Sequence, residues 1–213
     1  LARRAVQASS QTVRVAGSLP PLFGSYRPDL FEAGRVSELL TPLVNGLAPH
    51  VDLWLAETQS SIVEARAIHA GLPQDGKPFW LSFTLKDEDT DEVPRLRSGE
   101  PVADAAEAAA QLGVAVLLFN CSQPEVIGAA IDTARQTFER LGVSIQIGAY
   151  ANAFPPQPKE ATANDGLDPL RDDLDPPGYL HWAADWQARG ASHLGGCCGI
   201  GPEHIAVLAQ KLA

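Results

Sequence analysis

Six times along this chain a short apolar run is followed by a longer segment with apolar residues at helical spacing. The strand candidates are 12–16 (TVRVA), 51–56 (VDLWLA), 78–85 (PFWLSFTL), 114–119 (VAVLLF), 143–149 and 191–194; the helix candidates are 30–47, 60–70, 102–112, 125–141, 179–189 and 202–212. Residues 1–9 read as the end of a further helix, with Leu1, Ala5 and Ala8 on one face. Strict alternation of this kind predicts a parallel sheet, because parallel neighbours need crossovers and helices supply them. Val114–Phe119 is apolar throughout, as a strand buried on both faces would be. An open doubly wound sheet and a closed barrel both fit the alternation. A (β/α)8 barrel needs eight units in about 250 residues. This chain shows about six in 213 residues and contains no Met, so it reads as one domain, 1–213, lacking the first two units of such a barrel.

The chemistry-bearing residues gather at strand ends. The chain has three cysteines, Cys121, Cys197 and Cys198, and each follows a predicted strand. In a barrel, the C-terminal strand ends and the loops after them build the site. Three thiols brought together there could hold zinc and leave one coordination position open. Adjacent residues on a regular strand point to opposite faces, so Cys197 and Cys198 need a bend to share one ion. The surrounding glycines, at 195, 196, 199 and 201, permit it. An odd number of cysteines does not suit a disulfide framework. Taken alone, Cys121 reads equally well as a small core residue; the plain reading of the Gly-Gly before the double cysteine is a tight turn, and the Gly-Gly-Cys-Cys-Gly segment favours the metal reading over it.

Gly195-Gly196-Cys197-Cys198-Gly199 followed by Pro202-Glu203-His204 resembles the C-terminal signature of the homocysteine S-methyltransferase family, and Asn120-Cys121-Ser122 resembles its second cysteine motif. The segments Gly17–Pro21, Ser25–Asp29, Asp52-Leu53 with Glu57-Thr58, and Tyr150–Ala153 fall in the family's order. The family's Asp-Gly-Gly-type motif at its first strand has no counterpart here. The resemblance implies a zinc-dependent (β/α)8 TIM-type barrel that moves a methyl group from S-methylmethionine or S-adenosylmethionine to homocysteine, forming methionine. It implies Cys121, Cys197 and Cys198 as zinc ligands rather than nucleophiles. A free thiol with a pKa of about 8.5 is mostly protonated at neutral pH, and zinc would supply the missing acidity. Glu57 would receive the substrate's ammonium group, with Asn120, Tyr26 and Asn152 as further substrate-side residues. Plainer readings stand beside these: Glu57 as a helix-start carboxylate, Asn120 as a turn residue, Tyr26 and Asn152 as structural.

Composition narrows the partners. The net charge is −10, from 16 basic and 26 acidic residues, and offers no basic footprint for nucleic acid. No apolar run is long enough to cross a bilayer and no secretion signal opens the chain. Unpaired thiols suit a reducing cytoplasm. His193 and His204 lie near the double cysteine, and either one as a fourth ligand would make the zinc structural. The polar loops 86–99 and 152–178 could cover a donor site, and the acidity of the second would favour a cationic donor. Other readings of the same residues are a betaine donor or selenocysteine acceptor, a non-catalytic zinc-binding fragment, and a metal-free α/β binding protein. Oligomeric state is not legible.

Overall fold

The computed structural model describes residues 1–87, 93–156 and 169–212. Its strands are β1 (Ala16–Leu19), β2 (Leu53–Gln59), β3 (Phe79–Phe83), β4 (Val116–Asn120), β5 (Gln146–Tyr150) and β6 (His193–Leu194). The helices are α1 (Ala2–Ala8), α2 (Val36–Leu47), α3 (Ile62–Ala70), α4 (Val102–Gln111), α5 (Pro124–Leu141), α6 (Pro176–Ala188) and α7 (Pro202–Leu212). All adjacent strand pairs are parallel and the sheet order is β1-β2-β3-β4-β5-β6. A doubly wound sheet reverses its strand order at a switch point, and this one never does. The chain therefore forms part of a TIM-type barrel.

Two features show that the sheet curls. Neighbouring strands lie about 4.8 Å apart, so β2 and β5 in a flat sheet would be roughly 14 Å apart. Yet the Tyr150 hydroxyl on β5 donates to Glu57 Oε1 on β2 at 3.1 Å. The two faces also have different cores. A large cluster joins strand residues such as Leu81, Phe83, Leu117 and Phe119 to helix residues such as Ile68, Ala105, Ile127, Ile131 and Trp186. The opposite, concave face carries a small cluster of strand residues alone, Leu53, Leu55, Val116 and Leu118, with Trp80 and Tyr150 packed against it. Above it, alternate positions on the same strands turn polar: Glu57, Ser82 and Asn120. Period-2 patterning thus fills the barrel with aliphatic groups and finishes it with hydrogen-bonding ones.

The elements follow the sequence reading with shifted ends, and among the strands β1 moves most. The alternating β-branched stretch at 12–16 reads as a strand, but only its last residue belongs to β1, which continues through Gly17 and Ser18 to the fully buried Leu19. Local β-propensity loses to packing here. Val13 is exposed, and the Arg14 guanidinium lies over the Trp80 ring at 5.1 Å. A Cβ on Gly17 would meet Trp54 Cε3 at 2.9 Å, so glycine lets this strand pack on β2's tryptophan. The helix read from Leu30 begins at Val36, after two short 3-10 turns at Pro28–Leu30 and Ala33–Arg35. Helix α1 lies where the opening residues suggested a helix, but none of its residues is buried. Arg3 ties it to the sheet by donating to Asp52 Oδ1 at 2.6 Å and to the His50 carbonyl. Among the described residues, no helix is long and apolar enough to cross a membrane.

Candidate metal centre

Cys121 comes directly after β4, and Cys197-Cys198 follow β6 by two glycines. The curl of the sheet brings these loops together. The sulfurs of Cys121 and Cys198 are 3.9 Å apart, as are those of Cys197 and Cys198, and all three lie within 4.8 Å of one another. Zinc–sulfur bonds of about 2.3 Å in a tetrahedron put two ligand sulfurs about 3.8 Å apart. The donor set and its spacing therefore fit a thiolate-bound zinc ion with room for a fourth ligand. The bend at the double cysteine is a turn closed by Ile200 N donating to the Cys197 carbonyl at 3.1 Å, with Gly199 at φ +79°.

The loops are stitched to an extension of β5. Cys121 N donates to the Tyr150 carbonyl, Asn152 N to that of Ser122, Cys197 N to that of Ala151, and Ala153 N to that of Cys198, at 2.8–3.2 Å. Residues 150–153 thus form a spine with one cysteine loop on each side. Three residues other than glycine have positive φ among the described ones: Tyr26 (67°), Thr58 (60°) and Cys121 (53°). All three surround this centre. A β-branched residue such as Thr58 is strained in that region, and strain of this kind concentrates at functional sites. Thr58 occupies a register shift between Ala56 and Gln59 that bends the end of β2.

A polar ring completes the site. Tyr26 Oη donates to Cys121 Sγ at 2.9 Å. Asn120 is fully buried; its Nδ2 donates to Thr58 Oγ1 at 2.8 Å and approaches Cys197 Sγ at 4.0 Å, and its Oδ1 accepts from Ser82 Oγ at 2.6 Å. Glu57 accepts from Ser18 Oγ at 2.6 Å through Oε2 and from Tyr150 through Oε1. Asn152 stands one step back, its Oδ1 accepting from Gln123 Nε2 and Phe154 N, both at 3.2 Å. Tyr26 and Asn120 therefore reach the cysteine sulfurs, Glu57 is held on the same polar face by Ser18 and Tyr150, and Asn152 braces the loop behind them. Ser18, Thr58 and Tyr150 lie in segments that carry the resemblance but have no role assigned there, and Ser82 is not singled out by the sequence. The available signal was period-2 phase, since Ser82 and Tyr150 share the concave phase of their strands.

The electrostatics divide the thiols. Hydrogen bonds from Cys121 and Cys197 hold Cys198 down to about 3, so a single thiolate would reside there. The bond with Cys197 favours ionisation of Cys121, but its bond with Cys198 and burial push it up to about 11. Burial and the nearby sulfurs raise Tyr26 well above an ordinary phenol, which keeps it a donor. Burial and then the Glu57 carboxylate do the same for Tyr150.

The histidines are used elsewhere. His204 Nδ1 accepts from Gly201 N at 3.1 Å and Nε2 faces the Leu174 carbonyl at 3.0 Å, so both ring nitrogens are engaged. The His193 ring packs edge-on against Trp80, with Nδ1 3.1 Å from Ser192 Oγ. The only cluster of metal-ligand type among the described residues is that of the three cysteines. Parts of the two polar loops read as a possible cover, 88–92 and 157–168, lie outside the described residues.

A family model described as homocysteine S-methyltransferase matches residues 1–212. The chain belongs to that family. Among homocysteine S-methyltransferase relatives, the chain is similar to Homocysteine S-methyltransferase 4 of Zea mays, 26% identical over 167 residues, 76% of this chain and 44% of that protein. The chain thus spans less than half the length of this curated relative. In architecture it resembles 2,3-dimethylmalate lyase, a PEP mutase/isocitrate lyase superfamily member, in two crystal forms. Each has a TM-score of 0.54, with 12% and 13% identity, and the match covers 100% of this chain and 66% or 68% of the lyase. At that identity the likeness concerns the fold alone.

Proposed function

We propose that this chain is the greater part of one homocysteine-binding domain, residues 1–213, that transfers a methyl group from a sulfonium donor, S-methylmethionine or S-adenosylmethionine, to homocysteine. The observation that carries the reading is the convergence of three cysteine sulfurs, within 4.8 Å of one another, at the C-terminal strand ends. Family membership supports the same chemistry.

In this reading Cys121, Cys197 and Cys198 hold zinc, which supplies the acidity that makes the homocysteine sulfur a thiolate at neutral pH. The three sulfurs are ligands and form no covalent bond to substrate. Tyr26 Oη fixes the Cys121 sulfur at 2.9 Å. Asn120, locked between Ser82 and Thr58, presents an amide N–H beside Cys197. Glu57 receives the homocysteine ammonium: each carboxylate oxygen takes one hydroxyl here and keeps acceptor capacity for a second donor. Asn152 supports the loop through Gln123. The methyl carbon gains a bond to the homocysteine sulfur and loses its bond to the donor sulfur, which keeps the electron pair. A thiolate and a sulfonium thereby become two neutral thioethers, and no protein base is required. Three thiols kept as ligands suit a reducing cytoplasm.

The test is methionine formation from homocysteine by the zinc-loaded protein, with each donor supplied in turn. Product dependent on homocysteine and a sulfonium supports the reading. Tight zinc binding with no methionine from either donor would overturn it in favour of a zinc-binding domain without this activity.

A further inference from the structure

Arg171 lies outside the cysteine cluster, yet it joins the segments that carry it. Its Nη1 donates to Gln123 Oε1 at 2.6 Å and to Glu125 Oε2 at 3.1 Å. Its Nη2 donates to Glu125 Oε1 at 2.7 Å and to Asp173 Oδ2 at 2.6 Å, and Nε donates to Asp173 Oδ1 at 3.0 Å. A guanidinium has five N–H donors, and these contacts use all of them. Surface arginines seldom hold one rotamer so firmly, because a lone exposed pair barely offsets the entropy of ordering. This one is bidentate to two carboxylates and only about one-fifth exposed.

Each partner leads to the sulfurs. Gln123 and Glu125 lie two and four residues after Cys121, at the start of α5. Gln123 Nε2 also donates to the Phe154 carbonyl at 2.6 Å and to Asn152, which belongs to the spine between the cysteine loops. Arg171 N donates to the Ala153 carbonyl at 2.8 Å, and Ala153 N donates to the Cys198 carbonyl at 2.8 Å. Leu170 covers the double-cysteine turn: a Cβ on Gly199 would lie 2.6 Å from Leu170 Cδ2. Residues 170–171 thus press on the Cys198 loop from one side while the guanidinium grips the Cys121 loop from the other.

We infer that Arg171 is a positioning residue for the three-cysteine centre, fixing the distance between the Cys121 loop and the Cys198 loop without touching metal or substrate. The inference rests on the zinc reading above. A buckle of this kind acts on how long the ion is retained, because release requires the two loops to part. Second-layer contacts to a metal site typically change metal affinity by about 10–100-fold.

The experiment follows zinc release from the zinc-loaded protein into excess chelator, for wild type, Arg171→Gln, Arg171→Lys and Glu125→Gln. Release from Arg171→Gln is expected to be about 10–100-fold faster. Arg171→Lys should fall between, since an ammonium keeps the charge and loses the planar fork. Glu125→Gln should be faster than wild type, and combining it with Arg171→Gln should add little, because both break one junction. Cobalt-loaded Arg171→Gln should keep its thiolate charge-transfer band, showing that the three ligands still assemble. Release at the wild-type rate from Arg171→Gln and Glu125→Gln, even with a lowered unfolding midpoint, would reduce Arg171 to a structural residue and overturn the inference alone. Failure of the wild type to take up zinc would overturn the metal reading and this inference with it.

Discussion

The closeness of β5 to β6 at Gly148 offers a sharp test of how sheet geometry sets the metal centre. Gly148 pairs with His193, and a Cβ placed on it would lie 2.6 Å from both Cβ and the carbonyl oxygen of His193, and 3.0 Å from Leu118 Cδ2. Ordinary contact begins near 3.4 Å, so Gly148→Ala must push β6 away by about 0.8 Å. Two backbone bonds clamp the strands there, Ser192 N to the Ile147 carbonyl at 2.8 Å and Gly195 N to the Ala149 carbonyl at 3.0 Å. Taken up laterally, the displacement stretches them to about 3.6–3.8 Å, beyond useful hydrogen-bond range. Each is worth about 0.5–1.5 kcal/mol, so the loss is about 1–3 kcal/mol, the usual cost of overpacking a core. For a chain of this size the thermal midpoint should fall by about 2–12 °C. Cys197 stands three residues beyond β6, so the shift also opens the cysteine cluster, and zinc affinity should drop about tenfold or more. Thermal unfolding by circular dichroism and chelator competition read the two effects. A midpoint within 1 °C of wild type together with unchanged zinc affinity, values of about experimental error on these scales, would refute the argument that strand spacing sets the site.

Cys198→Ser should reduce zinc content to background and abolish methyl transfer, as judged by metal analysis and methionine formation; full activity in that variant would remove the metal assignment. The acid limb of stability should show the tether of α1. Bonds from Arg3 and from the Val15 backbone hold the Asp52 carboxyl below its ordinary value, so the folded state releases that proton more readily than the unfolded one. Its contribution is complete above the ordinary carboxylate range near pH 4 and is lost as the pH falls through the lowered folded value. The stability difference between wild type and Asp52→Asn should therefore be constant from about pH 5 to 7 and close below about pH 4. A gap that widens on acidification would contradict the assigned pairing.

The local sequence determined the unit. Apolar runs of strand length alternate with helical periods, and five of the six strands and every helix after α2 stand within a few residues of where that pattern puts them. The exception, β1, was decided by tertiary contact: Gly17 and Ser18 look like a turn, but a neighbouring strand and Trp54 accept them as sheet. The glycine-flanked double cysteine and the Asn-Cys pair were equally legible, because ligand chemistry is carried by residue type. What the sequence could not contain is proximity. Cys121 and Cys198 are 77 residues apart, as are Asn120 and Cys197, and Tyr26 is 95 from Cys121. Only the curl of the parallel sheet, which folds β2 over towards β5, brings them within a few ångströms. The same holds for Glu57 with Tyr150: each is an unremarkable polar residue along the chain, and its role comes from strands that meet only because side chains on the concave face can pack when the sheet bends.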